Sequence, residues 1–577
     1  MIDFEREYER WLSSPVLTDT ERQELLEIKD DKDTKELRFI SPMSFGTAGL
    51  RSTMNMGIGC MNRFTVAQAT RGICALVLKE GGKERGVAIG YDSRNNSREY
   101  AEVCASVLAG AGIRVYIFDG IRPTPELSFA VRELGALAGI NITASHNPKE
   151  YNGYKAYWED GAQLAPDHAK IVAEASAGFD VLDTSGIMDF DEGVRQGIIT
   201  VLGSEFDEKY LDAVVSTAIN PSLVSELGDK LKIVYTPLHG AGRVLVPMAL
   251  KRIGLSALYT VESQMVADGN FPTVKKPNPE YREVFTEGIE LANKVGADLI
   301  IATDPDSDRV GVMTREKDGG FATISGNQMG ALLLDYAIKE RRALGKLPEY
   351  AFCVKSIVST DMAYKIAEDN GVKLHDVLTG FKFIGETIKQ YEQKGLEDGF
   401  VLGFEESYGY LLGTYARDKD AVEATMLIAE LAAYYAKRGM TLSMALDELY
   451  SRYGYFGERV SDIYMEGLGG IARRKAVMQG MRDNSPAEIA GVAVLSVSDY
   501  MDGSVKNLKT GEIGTTGQPK SDVLYYTLTT GDKIVIRPSG TEPKIKVYVL
   551  AHADTKECLD KNAEAYLSSV VGMLDAF

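Results

Sequence analysis

Short apolar, β-branched runs alternate along the chain with amphipathic stretches, and this pattern predicts strands followed by helices. The same sequence of strand, polar loop, helix, glycine and second strand occurs three times. The copies run from Gly86 to Phe118, from Leu231 to Tyr259, and from Ala351 to Leu374. Repeated β-loop-α-β units build sheets that are covered by helices. The pattern therefore predicts three similar α/β domains, with mixed sheets flanked by helices.

The pattern changes after Tyr453. A helical stretch over 471–481 precedes three closely spaced strand patterns, at 523–528, 532–536 and 544–551, and a final helix follows. This order predicts a smaller C-terminal α+β domain. Because 577 residues exceed what one hydrophobic core supports, we expect four domains, with the ranges 1–205, 206–325, 326–453 and 454–577.

The composition excludes several classes of protein. With 45% apolar and 25% charged residues the chain is typical of globular proteins, and no apolar run approaches the roughly 18 residues of a membrane helix. The net charge of −19 argues against nucleic-acid or anionic-membrane partners. The N-terminus lacks the features of a signal peptide, and the five cysteines are scattered, so we expect a cytoplasmic protein without disulfides or zinc.

The first candidate loop follows the apolar run 138–143 and contains Ser145 and His146, with Lys155 close behind. The Gly-x-Ser-x-Gly motif is absent, which disfavours a serine esterase. The Ser145 hydroxyl could accept and return a phosphoryl group, while His146 and Lys155 handle protons and charge. An ordinary serine-capped turn is the alternative, and these residues alone leave both interpretations open.

Three carboxylates follow the apolar run 299–302 at alternate positions: Asp304, Asp306 and Asp308. In an extended segment they would project on one side, where their mutual repulsion favours a bound cation. Such oxygen ligands suit Mg²⁺ or Ca²⁺, but an EF-hand is excluded because Arg309 and Arg315 stand where it needs Gly and Glu. The loop therefore predicts a magnesium site, with an acidic turn as the alternative.

Two later loops carry groups that suit a phosphorylated sugar. The segment 403–409 places two acids and a hydroxyl between glycines, and Lys382 lies in a glycine-containing loop upstream, where it could serve as an acid or base. The segment 537–544 combines a guanidinium, hydroxyls and a glycine, which together could cradle a phosphate. Solvated turns are the alternative for both segments.

Taken together and in this order, the loops resemble the motifs of the α-D-phosphohexomutase family, which includes phosphoglucomutases and phosphomannomutases. The resemblance covers nearly the whole chain and rests on the segments 45–51, 143–148, 304–309, 403–407 and 537–541. It implies three similar α/β domains and a smaller fourth domain around a central cleft. Phe404, Tyr408 and the run 417–420 depart from the commonest pattern and look more like the phosphoglucomutase-2 branch.

The resemblance also implies a role for each candidate residue. The implied catalytic residues are Ser145, His146, Lys155, Arg51 and Lys382. The implied ligands of a single Mg²⁺ ion are Ser145, Asp304, Asp306 and Asp308. The implied substrate-binding residues are Arg309, Thr379, Gly380, Glu405, Ser407, Arg537, Ser539, Gly540 and Thr541.

The activity implied is that of a phosphoglucomutase, an intramolecular phosphotransferase that interconverts glucose 1-phosphate and glucose 6-phosphate. The reaction would pass through a phosphoserine and through glucose 1,6-bisphosphate, which also primes the enzyme. A phosphomannomutase, a phosphopentomutase or a sugar-bisphosphate synthase on the same scaffold is the alternative. A magnesium-dependent sugar phosphatase and a catalytically silent sugar-phosphate binder are more distant alternatives. We expect small-molecule sugar phosphates as partners, and a monomer or dimer.

Overall fold

The computed structural model describes residues 2–43, 45, 49–465, 468–539 and 544–576. The chain divides into two compact units. Unit 1 comprises Met1–Ser325, Gly385–Asp398 and Tyr408–Thr441, and unit 2 comprises Gly326–Ile384, Gly399–Ser407 and Leu442–Phe577. Among the described residues, no helix combines the length and apolar character needed to cross a membrane.

Unit 1 begins with three short helices, α1 (Phe4–Leu12), α2 (Asp19–Glu27) and α3 (Lys32–Phe39). Each helix starts at an Asp or Thr whose side chain accepts a hydrogen bond from a backbone N–H of the first turn. The indole of Trp11 is fully buried and meets Phe39 and Phe64 edge-on, with ring centroids 5.8 and 5.4 Å away. These aromatic contacts join the helical layer to the first α/β domain.

The first sheet of unit 1 has six strands: β1 (Leu50–Thr53), β2 (Val87–Tyr91), β3 (Val115–Phe118), β4 (Ala138–Ile142), β5 (Tyr151–Trp158) and β6 (Ile199–Leu202). Their order is β1-β5-β4-β2-β3-β6, and β5 is antiparallel to both of its neighbours. The accompanying helices are α4 (Arg63–Lys79), α5 (Ser97–Gly110), α6 (Thr124–Glu133), α7 (Pro166–Ala177) and α8 (Phe190–Arg195). The first predicted β-loop-α-β unit, which is β2-α5-β3, is confirmed.

The second sheet of unit 1 has five strands: β7 (Lys232–Thr236), β8 (Ala257–Thr260), β9 (Leu299–Thr303), β10 (Val310–Arg315) and β11 (Phe321–Ile324). Their order is β11-β10-β9-β7-β8. The helices are α9 (Ser204–Ser216), α10 (Ser222–Leu227), α11 (Gly242–Arg252) and α12 (Thr286–Val295). Since β10 runs antiparallel to β9, the aspartate loop is the short connection between two paired strands.

Unit 2 contains the third predicted repeat. Its elements are α13 (Gly326–Ala343), β12 (Phe352–Ser356), α14 (Met362–Asp369), β13 (Lys373–Val377) and β14 (Phe400–Glu405). Both β13 and β14 pair with β12 in parallel. The division between the units falls inside α15 (Phe381–Glu392); β15 (Gly409–Leu411) and α16 (Ala421–Ala436) belong to unit 1, and α17 (Leu442–Tyr453) belongs to unit 2.

The C-terminal part of unit 2 is an antiparallel sheet with two helices. Its elements are β16 (Tyr455–Tyr464), α18 (Leu468–Asp483), β17 (Glu488–Ile489), β18 (Val492–Asp499), β19 (Ser504–Asn507), β20 (Ile513–Thr515), β21 (Leu524–Leu528), β22 (Lys533–Pro538), β23 (Lys544–Ala553) and α19 (Lys556–Leu574). The strand order is β16-β23-β22-β21-β18-β19-β20, with β17 paired to β18. The three predicted strands and both helices are present, whereas the five strands β16–β20 were not predicted.

The fold class is confirmed: three α/β domains with mixed or parallel sheets precede a smaller sheet domain. The central strands β2, β4 and β9 are buried along their whole length. Since β4 pairs in parallel with β2, and β9 with β7, the carboxyl ends of each pair lie at the same edge of their sheet. Functional loops of open α/β sheets lie at those ends. The division into four domains near residues 205, 325 and 453, and the central cleft, stay predictions.

Replacing Trp11 by alanine should destabilise unit 1, because the fully buried indole would leave a cavity against Phe39 and Phe64. We expect a loss of about 3–5 kcal/mol in the free energy of unfolding. Urea unfolding followed by circular dichroism measures it. Leu37→Ala in α3 is the control, because the Leu37 side chain is 78% exposed; equal effects of the two changes would contradict the packing argument.

The His552–Asp532 pair gives unit 2 a pH-dependent contribution to stability. Nδ1 of His552 lies 2.8 Å from Oδ1 of Asp532, and this hydrogen bond raises the pKa of His552 above 6.5. A raised folded-state pKa means that the stabilisation is complete below pH 6.5 and is lost as the pH rises through the folded pKa. The pKa of Asp532 is lowered, so its carboxylate stays charged throughout this range.

We therefore expect His552→Gln to cost more stability at about pH 6 than at about pH 9, by a few tenths of a kcal/mol because the imidazole is half exposed. Urea unfolding of both proteins at the two pH values measures this difference. An equal cost at both values would show that the ion pair contributes nothing.

Candidate active site

Ser145 lies in the loop after β4, with only 3% of its surface exposed. Its Oγ donates a hydrogen bond to Oδ2 of Asp304 at 2.7 Å and lies 3.1 Å from Nδ1 of His146. The backbone of Ser145 has φ = +52°, a left-handed conformation that residues other than glycine rarely adopt. The fold thus brings the predicted nucleophile to the aspartate loop, which is far away in sequence.

The aspartate loop is a turn, and the prediction of an extended segment was wrong. The backbone N–H of Ser307 donates to the carbonyl oxygen of Asp304 at 2.9 Å, and Ser307 has φ = +53°. The turn curls the chain so that one ligand oxygen from each of Asp304, Asp306 and Asp308 lies within 4.8 Å of the others. The carboxylates converge because the loop reverses direction between β9 and the antiparallel β10, rather than through strand alternation.

The hydrogen bonds of these carboxylates leave specific oxygens available for a cation. Oδ1 of Asp304 accepts from the backbone N–H groups of Asp308 and Arg309, at 3.1 and 3.0 Å. Oδ2 of Asp306 accepts from Thr124 Oγ1 at 2.9 Å, whereas Oδ1 of Asp306 and Oδ1 of Asp308 are buried without a partner among the described residues. Buried carboxylate oxygens normally have partners, so the three aspartates fit a divalent metal ion with oxygen ligands.

Two lysines flank the aspartate cluster. Nζ of Lys155 lies 2.7 Å from Oδ2 of Asp306 and 3.1 Å from Oδ2 of Asp308. Nζ of Lys419 lies 2.8 Å from the same oxygen of Asp308. Lys155 was predicted as a site residue, but Lys419 was not. The run 417–420 was noted only as a feature of the resemblance, although a lysine between two aspartates just before an apolar helix could have indicated a buried ion pair.

The electrostatics differ among the members of the cluster. Burial and the neighbouring charges of Asp306 and Asp308 raise the pKa of Asp304 well above its ordinary value. Burial alone would raise the pKa of Asp308 too, but the charges of Lys155 and Lys419 outweigh it and lower that pKa. Burial, together with Arg309 and Arg51, lowers the pKa of His146 well below 6.5. The imidazole beside Ser145 is therefore neutral at physiological pH.

Two predicted arginines border the cluster in different ways. Arg51 lies on β1 opposite Gly153 of β5, and its Nη1 donates to Oδ1 of Asn147 at 3.0 Å. It therefore contacts the serine loop directly. The guanidinium of Arg309 pairs with Oε1 of Glu280 at 2.7 Å, while its backbone N–H binds Asp304. Arg51 and Arg309 thus lie on the serine side and the aspartate side of the cluster.

The predicted sugar-binding residues lie in unit 2. Glu405 is the last residue of β14 rather than part of the loop that follows, and its Oε1 accepts from the backbone N–H of Gly380 at 2.7 Å. Gly380 has φ = +119°, so a side chain there would be strained. The ammonium of Lys382 lies over the Phe383 ring, and burial lowers its pKa. Thr379, which precedes Gly380, and Ser407, which follows Glu405 by two positions, are half-buried.

The predicted phosphate loop is described only in part. Arg537 lies inside β22, opposite Lys546 of β23, rather than after the strand as predicted. The backbone N–H of Ser539 donates to the carbonyl oxygen of Lys544 at 2.8 Å. Gly540 and Thr541 lie outside the described residues, as do residues 46–48 of the early motif.

Asp306→Asn should weaken metal binding at this site, because it removes a negative charge and a cluster oxygen that has no partner among the described residues. We expect Mg²⁺ to raise the thermal midpoint of the wild-type protein. At a concentration 100 times its Kd, the ion would stabilise the folded state by about 2.7 kcal/mol. We expect EDTA to reverse this rise, and the variant to lose most of it. Differential scanning calorimetry measures these midpoints.

Asp318→Asn is the matched control, since Asp318 occupies an exposed turn and accepts a local hydrogen bond from the backbone N–H of Gly320. If Mg²⁺ raised the thermal midpoint of Asp306→Asn as much as that of the control, the result would contradict a metal site at these aspartates.

Three family models match the chain, each in a separate segment. They are described as phosphoglucomutase/phosphomannomutase, alpha/beta/alpha domain I over residues 42–179, domain II over 208–319 and domain III over 325–453. Together they cover most of the described α/β part of the protein. The serine loop lies in the first segment, the aspartate loop in the second and Glu405 in the third.

Several known proteins are similar to this chain over nearly its whole length. A phosphoglucomutase of Staphylococcus epidermidis is 38% identical over 515 residues, which cover 89% of this chain and 91% of that protein. A phosphoglucomutase of Staphylococcus saprophyticus is 37% identical, covering 92% and 95%. A solved structure from Burkholderia thailandensis has the same fold, with a TM-score of 0.65, 18% identity, and coverage of 92% and 97%. The chain belongs to the phosphoglucomutase/phosphomannomutase family and is an intramolecular phosphotransferase of the isomerase class.

Proposed function

We propose that the protein is a phosphoglucomutase, which interconverts glucose 1-phosphate and glucose 6-phosphate through a phosphorylated Ser145. The observation that carries this proposal is the hydrogen bond of 2.7 Å between Ser145 Oγ and Asp304, inside a buried cluster of three carboxylates. The staphylococcal phosphoglucomutases, at 37–38% identity over most of the chain, support glucose as the sugar.

The ion that suits the cluster best is Mg²⁺, one per site, held by Asp304, Asp306 and Asp308 together with an oxygen on Ser145. Hard carboxylate oxygens favour this ion, and it keeps positions open for phosphate oxygens. When bound, Mg²⁺ would neutralise negative charge on the phosphoryl group. Lys155 and Lys419, at 2.7 to 3.1 Å from the aspartates, hold the carboxylates in place and contribute two further positive charges.

In the first half of the reaction a sugar hydroxyl attacks the phosphorus on Ser145. A bond forms between phosphorus and the sugar oxygen, the bond to Ser145 Oγ breaks, and the hydroxyl proton passes to a nearby base. His146, whose neutral imidazole lies beside Ser145, is the candidate for this base, whereas Lys155 carries a proton and would act as the acid. In the second half the other phosphate of the bisphosphate returns to Ser145. Arg51 and Arg309 balance charge around the transferred group.

A separate set of predicted residues is proposed to recognise the sugar. Glu405 and Ser407 would accept and donate hydrogen bonds to sugar hydroxyls, with Thr379 and Gly380 on the neighbouring loop. The segment from Arg537 through Ser539, Gly540 and Thr541 would bind the phosphate that is not reacting. Lys382 would assist proton transfer in the second half-reaction. Glucose 1,6-bisphosphate is the intermediate, and it also phosphorylates an enzyme that has lost its phosphate.

Ser145→Ala should abolish the mutase, since the phosphoryl group then has no carrier. We expect a fall in kcat of at least about 1,000-fold, and in the wild type a mass increment of one phosphate on the Ser145 peptide. A coupled assay of glucose 6-phosphate formation and peptide mass spectrometry measure the two quantities. Ser106→Ala, a buried serine of α5 in the same domain, serves as the control.

Comparison of glucose 1-phosphate, mannose 1-phosphate and ribose 1-phosphate, each with added glucose 1,6-bisphosphate, tests the sugar. We expect the highest kcat/KM for glucose 1-phosphate. A preference for mannose or ribose would identify a phosphomannomutase or phosphopentomutase instead, and wild-type activity of Ser145→Ala would overturn the mechanism.

A further inference from the structure

Arg94 lies just after β2, outside the groups that the proposed mechanism uses, and it is almost completely buried. Its guanidinium donates to four backbone carbonyl oxygens of the serine loop. The acceptors are the oxygens of Ser145 at 2.6 Å, Pro148 at 2.9 Å and Tyr151 at 3.1 Å, and that of Asn147. The loop from Ser145 to Tyr151 is therefore wrapped around one side chain.

A second chain of hydrogen bonds reaches Ser145 from the same place. Oδ2 of Asp92 lies 3.3 Å from Nε of Arg94 and accepts from Oγ1 of Thr143 at 2.6 Å. That Thr143 hydroxyl oxygen in turn accepts from the backbone N–H of Ser145 at 2.8 Å. The other oxygen of Asp92 accepts from the backbone N–H of Arg94 at 2.9 Å. Asp92 thus holds Arg94 on one side and Ser145, through Thr143, on the other.

These contacts act on the residue whose backbone is strained. Ser145 has φ = +52°, a conformation that is unfavourable for a non-glycine residue and persists only where its surroundings impose it. Here the N–H of Ser145 is bound by Thr143 and its carbonyl oxygen by Arg94. Both ends of the residue are fixed, so the direction of the Cα–Cβ bond, and with it the position of Oγ, is fixed as well.

We propose that Arg94, held by Asp92, is a positioning residue that keeps Ser145 in the left-handed conformation and so aims its Oγ at the aspartate cluster. This inference rests on the proposed function of Ser145 as the phosphoryl carrier. A guanidinium suits the task because its planar fork presents five donors at fixed angles, whereas an ammonium offers three donors from a single point. The ring of Phe271, whose centroid lies 5.1 Å from the guanidinium carbon, stacks against Arg94 and limits its movement.

The test compares Arg94→Lys with Arg71→Lys. Arg71 is a matched control because it is also buried, lies over a phenylalanine ring, and binds one carboxylate and one carbonyl, those of Asp183 and Ser185. We expect kcat of Arg94→Lys to fall by about 100-fold, since displacing a reacting group by about 1 Å costs this much. KM should stay within about twofold, because neither arginine is among the residues proposed to bind the substrate. Arg71→Lys should leave kcat and KM unchanged.

Hydrogen exchange supplies a readout that does not depend on catalysis. In Arg94→Lys we expect faster exchange of the amides of residues 145–151, with no change in β2, β3 or α5. In Arg94→Ala, if this variant folds, added guanidinium ion should restore part of kcat, whereas methylammonium ion should not. Thermal midpoints of all variants show whether a loss of activity merely follows from lost stability.

A wild-type kcat in Arg94→Lys with unchanged loop exchange would overturn the inference. So would exchange that rises equally throughout the first α/β domain, because that result describes general destabilisation rather than loop positioning. Failure of the proposed function is distinguishable, since it would appear as an active wild type whose Ser145 never carries phosphate. In that case the exchange of residues 145–151 still decides whether Arg94 holds the loop.

Discussion

The repulsion among three buried carboxylates is the constraint on which the site depends. Asp304, Asp306 and Asp308 lie within a few ångströms of each other, at 0–1% exposure. Buried charge without compensation costs several kcal/mol per group. Lys155 and Lys419 offset part of it, and Oδ1 of Asp306 and Oδ1 of Asp308 have no partner among the described residues. The position of both lysines, and the suitability of the cluster for a metal ion, follow from this single requirement.

A second constraint is geometric, because both active loops contain a residue in the left-handed conformation. Ser145 and Ser307 have φ near +50°. Glycine at either position would remove the backbone strain, but it would also remove the serine side chain. Hydrogen bonds from Thr143 and Arg94 hold the first loop, whereas the close pairing of β9 and β10 holds the second. Rigid sheets beneath the loops let the protein keep strained residues where the chemistry needs them.

Much of the fold was predictable because its periodicity is local. The strand and helix of each β-loop-α-β unit are set by apolar spacing within about ten residues, and β2, α5 and β3 all lie inside the first predicted copy, from Gly86 to Phe118. Strands β16, β19 and β20 were missed because their residues are half-buried or exposed, so their apolar alternation is weak. The aspartate loop was misjudged as extended because a turn with a left-handed serine has no apolar signal.

The sequence by itself determined the family and the fold class, and it singled out the candidate serine and aspartates, since short motifs at strand ends specify them. Only the tertiary structure decided what surrounds those groups. That Lys419 pairs with Asp308, that Thr124 orients Asp306, and that Arg94 holds the carbonyls of the serine loop all depend on contacts between segments far apart in the chain. Such contacts leave no periodic pattern in the sequence, because they arise from how finished elements pack together rather than from how each element forms.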